Sequence, residues 1–279
     1  MDFIGILHQT RIPGSEPLSI EIAHWLEARG IRSWTGSDWD DYQVDGHAGD
    51  FDLLIVLGGD GSTLRAARMI TPYSVPIFGI NLGRVGFLSE AQPGEWREKL
   101  TRVLNGEYWT ERRLRMQAFL YRNDEIIDSF IALNEVVVGR GQQARVIRLH
   151  LLVDGDLVTT YVSDALIVST PTGSTAYAMA AGGPLLPPQL QNFVVLPVAA
   201  HLSLNRALVL HEEAEILIRV EMDHEAILTA DGREGATLQT GDRILIQKHD
   251  QPCLFARVDP PGYFYRRLMR RLGFSWPKR

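Results

Sequence analysis

The feature that most limits what this chain can fold into is the run FDLLIVLGGDGSTLRAAR, residues 51–68. Seven residues from Phe51 to Leu57, all but one apolar, are followed at once by a glycine cluster, Gly58-Gly59-Asp60-Gly61, and then by a helix-like segment, Ser62–Ile70. Strands this apolar are buried on both faces, as in a parallel sheet covered by helices. Neighbouring segments agree. Phe3–Leu7 and Val75–Ile80 read as short buried strands. Leu18–Arg29 carries Leu18, Ile22, Trp25 and Leu26 at helical spacing before Gly30, and Glu95–Leu104 reads as a helix closed by Gly106.

Past Arg115 the texture changes. Met116–Arg122, Ile126–Ile131, Glu135–Val138, Ile147–Val153, Leu157–Val162, Ala165–Ser169, Glu215–Val220 and Arg243–Gln247 read as strands, with Asp154-Gly155 as a tight hairpin turn. A helix is expected only after Thr172. The fold class expected is therefore an α/β N-terminal domain, a Rossmann-like parallel sheet over 1–110, plus a mostly β C-terminal domain over 111–261. The helix-like 262–274 is expected to pack back on the first domain. The segment Thr110–Arg115, TERRLR, is the proposed boundary.

In parallel sheets ligands sit beyond the carboxyl ends of strands, and a helix N-terminus there offers unpaired N–H groups to phosphate. Gly58, Gly59, Ser62 and Arg65 are accordingly the candidate phosphate-binding residues. An acidic residue inside such a turn repels phosphate unless it has a task of its own. Asp60 could hold Mg²⁺ or accept a proton from a hydroxyl that attacks phosphorus; the alternative is that it only caps the helix. Neither G-x-x-x-x-G-K-[ST] nor G-x-G-x-x-G is present. A second glycine-punctuated loop, Asn81-Leu82-Gly83-Arg84-Val85-Gly86-Phe87, follows the next strand.

Two β-domain segments carry unusual polarity. Ser163–Tyr177 (SDALIVSTPTGSTAY) crowds hydroxyls and glycines after a strand, which suits a ribose, amide or phosphate group, or an ordinary loop. Asn134 and Glu135 adjoin at the mouth of an apolar strand. An amide beside a carboxylate suits a vicinal diol such as ribose; the alternative is a polar pair on an edge strand.

Other chemistries find little support. The eight histidines lack metal-ligand spacing, and no G-x-S-x-G occurs. A formal charge of −6 argues against nucleic acid, and no apolar run nears the roughly 20 residues that cross a bilayer. A single cysteine, Cys253, fits a reducing compartment, and the N-terminus lacks signal-peptide character, so a cytoplasmic location is expected. The basic stretch YFYRRLMRRLGF (Arg266, Arg267, Arg270, Arg271) is either a solvated helix face or a phosphate or partner contact.

Taken together, LGGDGSTLRAAR, GINLGRVGFLSE, ALNEVVVGR and ALIVSTPTGSTAYAMAAGGP resemble the NAD kinase family from roughly Phe3 to Leu272. GGDG alone is shared with diacylglycerol- and sphingosine-type lipid kinases; the NEVV and TPTGSTAY segments are similar to NAD kinases specifically. The resemblance implies phosphoryl transfer from ATP or polyphosphate to the adenosine-ribose 2′-hydroxyl of NAD, with Mg²⁺ (or another divalent cation) carried by the donor. It implies that Asp60 takes the hydroxyl proton, with Gly61 lining the site and Phe87 near the adenine. Asn134 and Glu135 would bind ribose and adenine-side hydroxyls, Asp164 the nicotinamide end, and Thr175, Ala176 and Tyr177 the dinucleotide pocket. Arg145 would reach substrate from a neighbouring subunit, implying a homo-oligomer, a dimer or tetramer. The alternatives are a lipid kinase and a non-catalytic NAD(P) sensor.

Three departures from the family pattern stand out. Ser62 replaces the usual threonine. Ala165 follows Asp164 where glycine is usual, a change that is costly only if the position has positive φ. Ala178 and Ala180 replace serines, so a substrate bond through a serine at Ala180 is lost, worth about 1 kcal/mol.

Overall fold

The computed structural model describes residues 1–37, 46–83, 86–141, 145–201, 204–222 and 224–273, with only the backbone of Glu234. Arg84 and Val85 of the second glycine loop and residue 274 of the expected C-terminal helix lie outside the described residues. The chain divides into two compact units, Met1–Arg112 with Cys253–Arg279, and Arg113–Pro252. The sequence reading had set the limits at 110 and 261.

The first unit begins β1 (Phe3–His8), α1 (Ser15–Glu27), β2 (Arg32–Ser37), β3 (Leu53–Gly58), α2 (Asp60–Met69), β4 (Ile77–Asn81), α3 (Trp96–Leu104) and β5 (Trp109–Arg113). After the second unit the chain returns with a further strand, β18 (Cys253–Arg257), and α5 (Tyr263–Arg271). The sheet order is β2-β1-β3-β4-β18-β5, and the pairs from β2 through to β18 are parallel. Every residue of β3 is buried, which is why its sequence does not alternate. Ile4, Ile6, Leu53, Ile55 and Leu57 pack with Ile22 and Leu26 of α1 and with Trp96, Leu100 and Val103 of α3. Gly30, at φ +75°, turns the chain out of α1 and lets Ile31 N–H bond the Leu26 carbonyl.

The strand at Cys253–Arg257 was not foreseen. Its five residues, CLFAR, include a fully buried arginine. Arg257 donates to Glu111 Oε2 (2.8 Å), to Glu90 Oε2 (3.2 Å) and to the Leu88 carbonyl (3.0 Å). Burial of a charge is tolerated only with partners of this kind, and those partners are remote in sequence.

The second unit holds β6 (Met116–Arg122), β7 (Glu125–Ala132), β8 (Glu135–Arg140), β9 (Ile147–Val153), β10 (Asp156–Ser163), β11 (Ala165–Ser169), α4 (Tyr177–Ala180), β12 (Asn192–Val198), β13 (Leu208–His211), β14 (Ile216–Glu221), β15 (Ala226–Ala230), β16 (Arg233–Leu238) and β17 (Arg243–Lys248). They form two six-stranded antiparallel sheets, ordered β10-β9-β14-β17-β6-β7 and β13-β12-β11-β8-β15-β16. The inner faces share one core, in which Val136, Val138, Leu166, Val168 and Phe193 meet Leu149, Leu151, Ile216, Ile218 and Ile244. Ile167 points the other way and is covered by Ala178 of α4. Two-sided coverage accounts for the apolar run Ala165–Val168 and holds the segment after β11 against its sheet. The Asp154-Gly155 turn has φ +52° and +89°, as a two-residue type I′ hairpin turn requires. Among the described residues no helix is long and apolar enough to cross a membrane.

Candidate active site

In the first unit the chain leaves β1 toward β2 on one side and later builds β3 and β4 on the other. The order reverses between the carboxyl ends of β1 and β3, which is where open α/β sheets place ligands. Gly58 closes β3, and Gly59, with φ −107° and ψ −168°, leads into α2 at Asp60. A Cβ at Gly58 would run into the Ser62 side chain, whereas Gly59 and Gly61 face open space. Ser62 is buried and its hydroxyl accepts a long bond from Gln9 Nε2 (3.4 Å). Arg65 lies half-buried in the second turn of α2.

Asp60 does more than begin a helix. Its two carboxylate oxygens accept the backbone N–H groups of Phe87 (3.0 Å) and Leu88 (3.1 Å) from the loop after β4. Arg271 Nη1 stands 3.5 Å from Oδ2. Neither side-chain cap bond nor helix partner is needed to explain it; the carboxylate is oriented by the opposite loop. Gly86 permits this. A Cβ there would lie 2.7 Å from Asp60 Cγ and closer still to Oδ1. Gly86→Ala is expected to displace the carboxylate and to lower turnover sharply while the thermal melt stays near the parent's. An alanine variant with parental turnover would show that this carboxylate position does not matter.

Phe87, expected near an adenine, has a buried ring packed with Tyr263, Phe264 and Leu268. Its backbone N–H is what meets Asp60.

In the second unit, Asn134 and Glu135 are buried at the start of β8. Asp231, in left-handed conformation at φ +50°, accepts N–H groups from Leu133 (2.9 Å), Asn134 (2.7 Å) and Glu135 (3.2 Å). Sequence reading missed Asp231; its one signal was the Asp231-Gly232 pair, which looks like any turn. Burial, reinforced by the Asp231 charge, pushes the Glu135 carboxyl up to about 8, against the opposing pull of the Tyr177 backbone N–H. One Glu135 oxygen and the Thr172 hydroxyl are buried without a hydrogen-bond partner. Orphaned buried polar atoms in a native fold call for a ligand or water.

The hydroxyl-rich segment is held tightly. Thr170 Oγ1 donates to the Leu133 carbonyl (2.5 Å) and accepts the Gly173 N–H (3.2 Å), while Ser174 Oγ donates to the Pro171 carbonyl (2.7 Å). A Cβ at Gly173 would strike the Asn134 backbone, so only glycine lets the two segments touch. Thr175 Oγ1 donates to Thr172 O (3.1 Å). Ala176 is half-buried, and Tyr177 and Ala180 are exposed. A cavity of about 230 Å³ is lined by Tyr177, Asp164, Arg140, Val137 and Thr229 among others. Asp164 Oδ1 pairs with Arg140 Nε at 3.3 Å, a second residue the sequence did not single out. Ala165 does not take positive φ, and its methyl lies beside Gly139, so the departure from glycine is tolerated. Arg145 is exposed in the connection from β8 to β9, where its carbonyl contacts His224 Nε2 (3.1 Å).

Comparison with known proteins identifies the family. Residues 26–108 match the ATP-NAD kinase N-terminal domain and residues 133–258 the ATP-NAD kinase C-terminal domain. The NAD kinase of Chloroflexus aggregans is 38% identical over 275 residues, covering 99% of this chain and 100% of that protein. The NAD kinase of Cellvibrio japonicus is 41% identical over 227 residues, covering 80% of this chain and 75% of its own. An NAD kinase from Archaeoglobus fulgidus, solved in complex with ATP, superposes with a TM-score of 0.78 at 28% identity, covering 98% and 99% of the two chains. A yeast NADH kinase complexed with NADH shares the fold, with a TM-score of 0.88 at 23% identity, covering 100% of this chain and 89% of that one. Matches to both domains, and to relatives over nearly the full length, show that the chain belongs to the NAD kinase family of phosphotransferases.

Proposed function

We propose that this chain transfers the terminal phosphoryl group of ATP, or of polyphosphate, to the 2′-hydroxyl of the adenosine ribose of NAD, giving NADP. The observation that carries the reading is Asp60, a carboxylate held at a helix start by two backbone N–H groups from a facing loop. Oδ1, which accepts the Leu88 N–H, keeps a lone pair for a substrate hydroxyl, so Asp60 accepts the 2′-proton as the oxygen attacks phosphorus. Backbone N–H groups from Gly59 to Ser62 receive phosphate oxygens.

In the β-rich unit, Asn134 and Glu135 take the ribose and adenine side, and Asp164 the nicotinamide end. Thr175, Ala176, Tyr177 and Ala180 line the pocket. The unpartnered Glu135 oxygen and Thr172 hydroxyl support a polar ligand there. Arg145 contributes from a neighbouring subunit in a homo-oligomer, and the location is cytoplasmic.

Mg²⁺, carried on the donor's phosphates, would offset their charge during the transfer.

The test is NADP formation by purified protein supplied with NAD, Mg²⁺ and either ATP or polyphosphate. Product with either donor supports the reading. NAD binding without product from either would leave an NAD(P)-sensing protein.

A further inference from the structure

We propose that Arg271, in the last turn of α5, is a catalytic arginine that neutralises charge on the phosphoryl group during its transfer. The inference rests on the reading of Asp60 as the base. Arg271 Nη1 lies 3.5 Å from Asp60 Oδ2, and its guanidinium sits over the Phe87 ring with Cζ 4.9 Å from the centroid. The ring contact holds the guanidinium in place with Nη1 toward the carboxylate.

Stability does not account for this placement. The two side chains are 44% and 30% exposed, and exposed pairs of this kind contribute about 0–1 kcal/mol. The fold nevertheless spends buried charge on holding α5 in place. Tyr263 OH donates to Glu111 (2.9 Å), and Arg267 Nη2 to Glu90 Oε2 (3.1 Å) and Asp259 Oδ2 (3.0 Å). Phe264 and Leu268 pack with Phe87. The four arginines of the helix thus divide. Arg267 is committed to Glu90 and Asp259, Arg266 and Arg270 line a cavity beside Glu95 and Glu98, and Arg271 reaches the base.

Reaction geometry does the rest. A hydroxyl bonded to Asp60 sits about 2.7 Å from a carboxylate oxygen. The phosphorus it attacks lies about 3–3.5 Å beyond. A guanidinium beside the same carboxylate can therefore bond equatorial oxygens of the moving group. In the step, the bond from the 2′-oxygen to phosphorus forms and the bond from phosphorus to the donor's bridging oxygen breaks. The bridging oxygen leaves with the electron pair, and the hydroxyl proton passes to Asp60.

Arg271→Ala is expected to lower kcat by about 10²–10³-fold, with KM for NAD within about twofold. Free guanidinium ion, below denaturing concentrations, should restore part of the lost rate. Arg271→Lys keeps the charge and the helix, so it decides the matter if the alanine variant fails to fold. A point charge replaces a planar fork poorly, and a loss of at least about tenfold in kcat is expected. Arg270→Ala, the exposed neighbour, should keep the parental rate. Parental kcat in both Arg271 variants, or a rate above the parent's, would overturn the proposal. If Asp60→Asn is inactive while the Arg271 variants are fully active, only the arginine's role falls. If Asp60→Asn is active, the reading of the base falls first.

Discussion

Replacing Asp60 with asparagine is expected to lower kcat for NADP formation by about 10²–10⁴-fold while NAD affinity stays within about threefold. Asparagine nearly matches aspartate in shape but cannot accept the 2′-proton. The substitution also touches the support of the site. Phe87 and Leu88 each donate an N–H to a separate oxygen of Asp60, and an amide offers one acceptor and one donor. One of the two N–H groups would face an NH₂, a local cost of about 1–3 kcal/mol. NAD affinity measured by calorimetry separates these effects, because a displaced loop changes binding as well as rate. An asparagine variant that turns over within about tenfold of the parent would remove Asp60 from the role of base.

The second large effect concerns Glu135 and pH. Its carboxyl is pushed from 4.5 in the unfolded chain to about 8 in the fold, so at neutral pH it keeps its proton. Below about 4.5 the group is protonated in both states and costs the fold nothing. As pH rises from there toward 8, the unfolded chain gives up the proton and the native state does not. Stability therefore falls by about 1.4 kcal/mol per pH unit across that window and levels off above 8. Glutamine has the shape of the protonated acid and does not titrate. The Glu135→Gln variant should lack this component, gaining on the parent from acid to mildly alkaline pH. Denaturant unfolding of both proteins at several pH values reads the difference; parallel curves would show that Glu135 ionises normally. Asp231→Asn, which tolerates the left-handed backbone and removes the neighbouring charge, should lower the pH at which the fall levels off.

How far these features could be read in advance depended on whether their signal was local. β3 and its glycine turn announced themselves because two-sided burial leaves an unbroken apolar run and a helix start needs glycines. Asp154-Gly155 was legible because its turn type demands positive φ at both residues. Asn134 and Glu135 drew attention through chemistry out of place at the mouth of an apolar strand. Asp231 had no such mark, since its meaning lies in three N–H groups about a hundred residues earlier. Gly86 looked like loop glycine until Asp60 was found across from it. β18 was hidden because Arg257 breaks its apolar pattern, and the partners that allow an arginine there, Glu90 and Glu111, are themselves charged residues that a sequence places on the surface. The arginines of α5 were noticed as a group, but only packing tells them apart.

The sheet that carries Asp60 is completed by residues made after the whole β-rich unit. Val258 N–H, just past β18, bonds Glu90 across 168 residues. On the ribosome, all strands of the antiparallel unit are made while the unit that carries Asp60 still lacks β18, α5 and Arg271. On the proposed reading, a chain released at that point would carry Asn134, Glu135 and Asp164 but not Arg271. On that reading, the order of synthesis thus makes phosphoryl transfer a late property of the polypeptide, because Asp60 meets Arg271 only after the β-rich unit has been made.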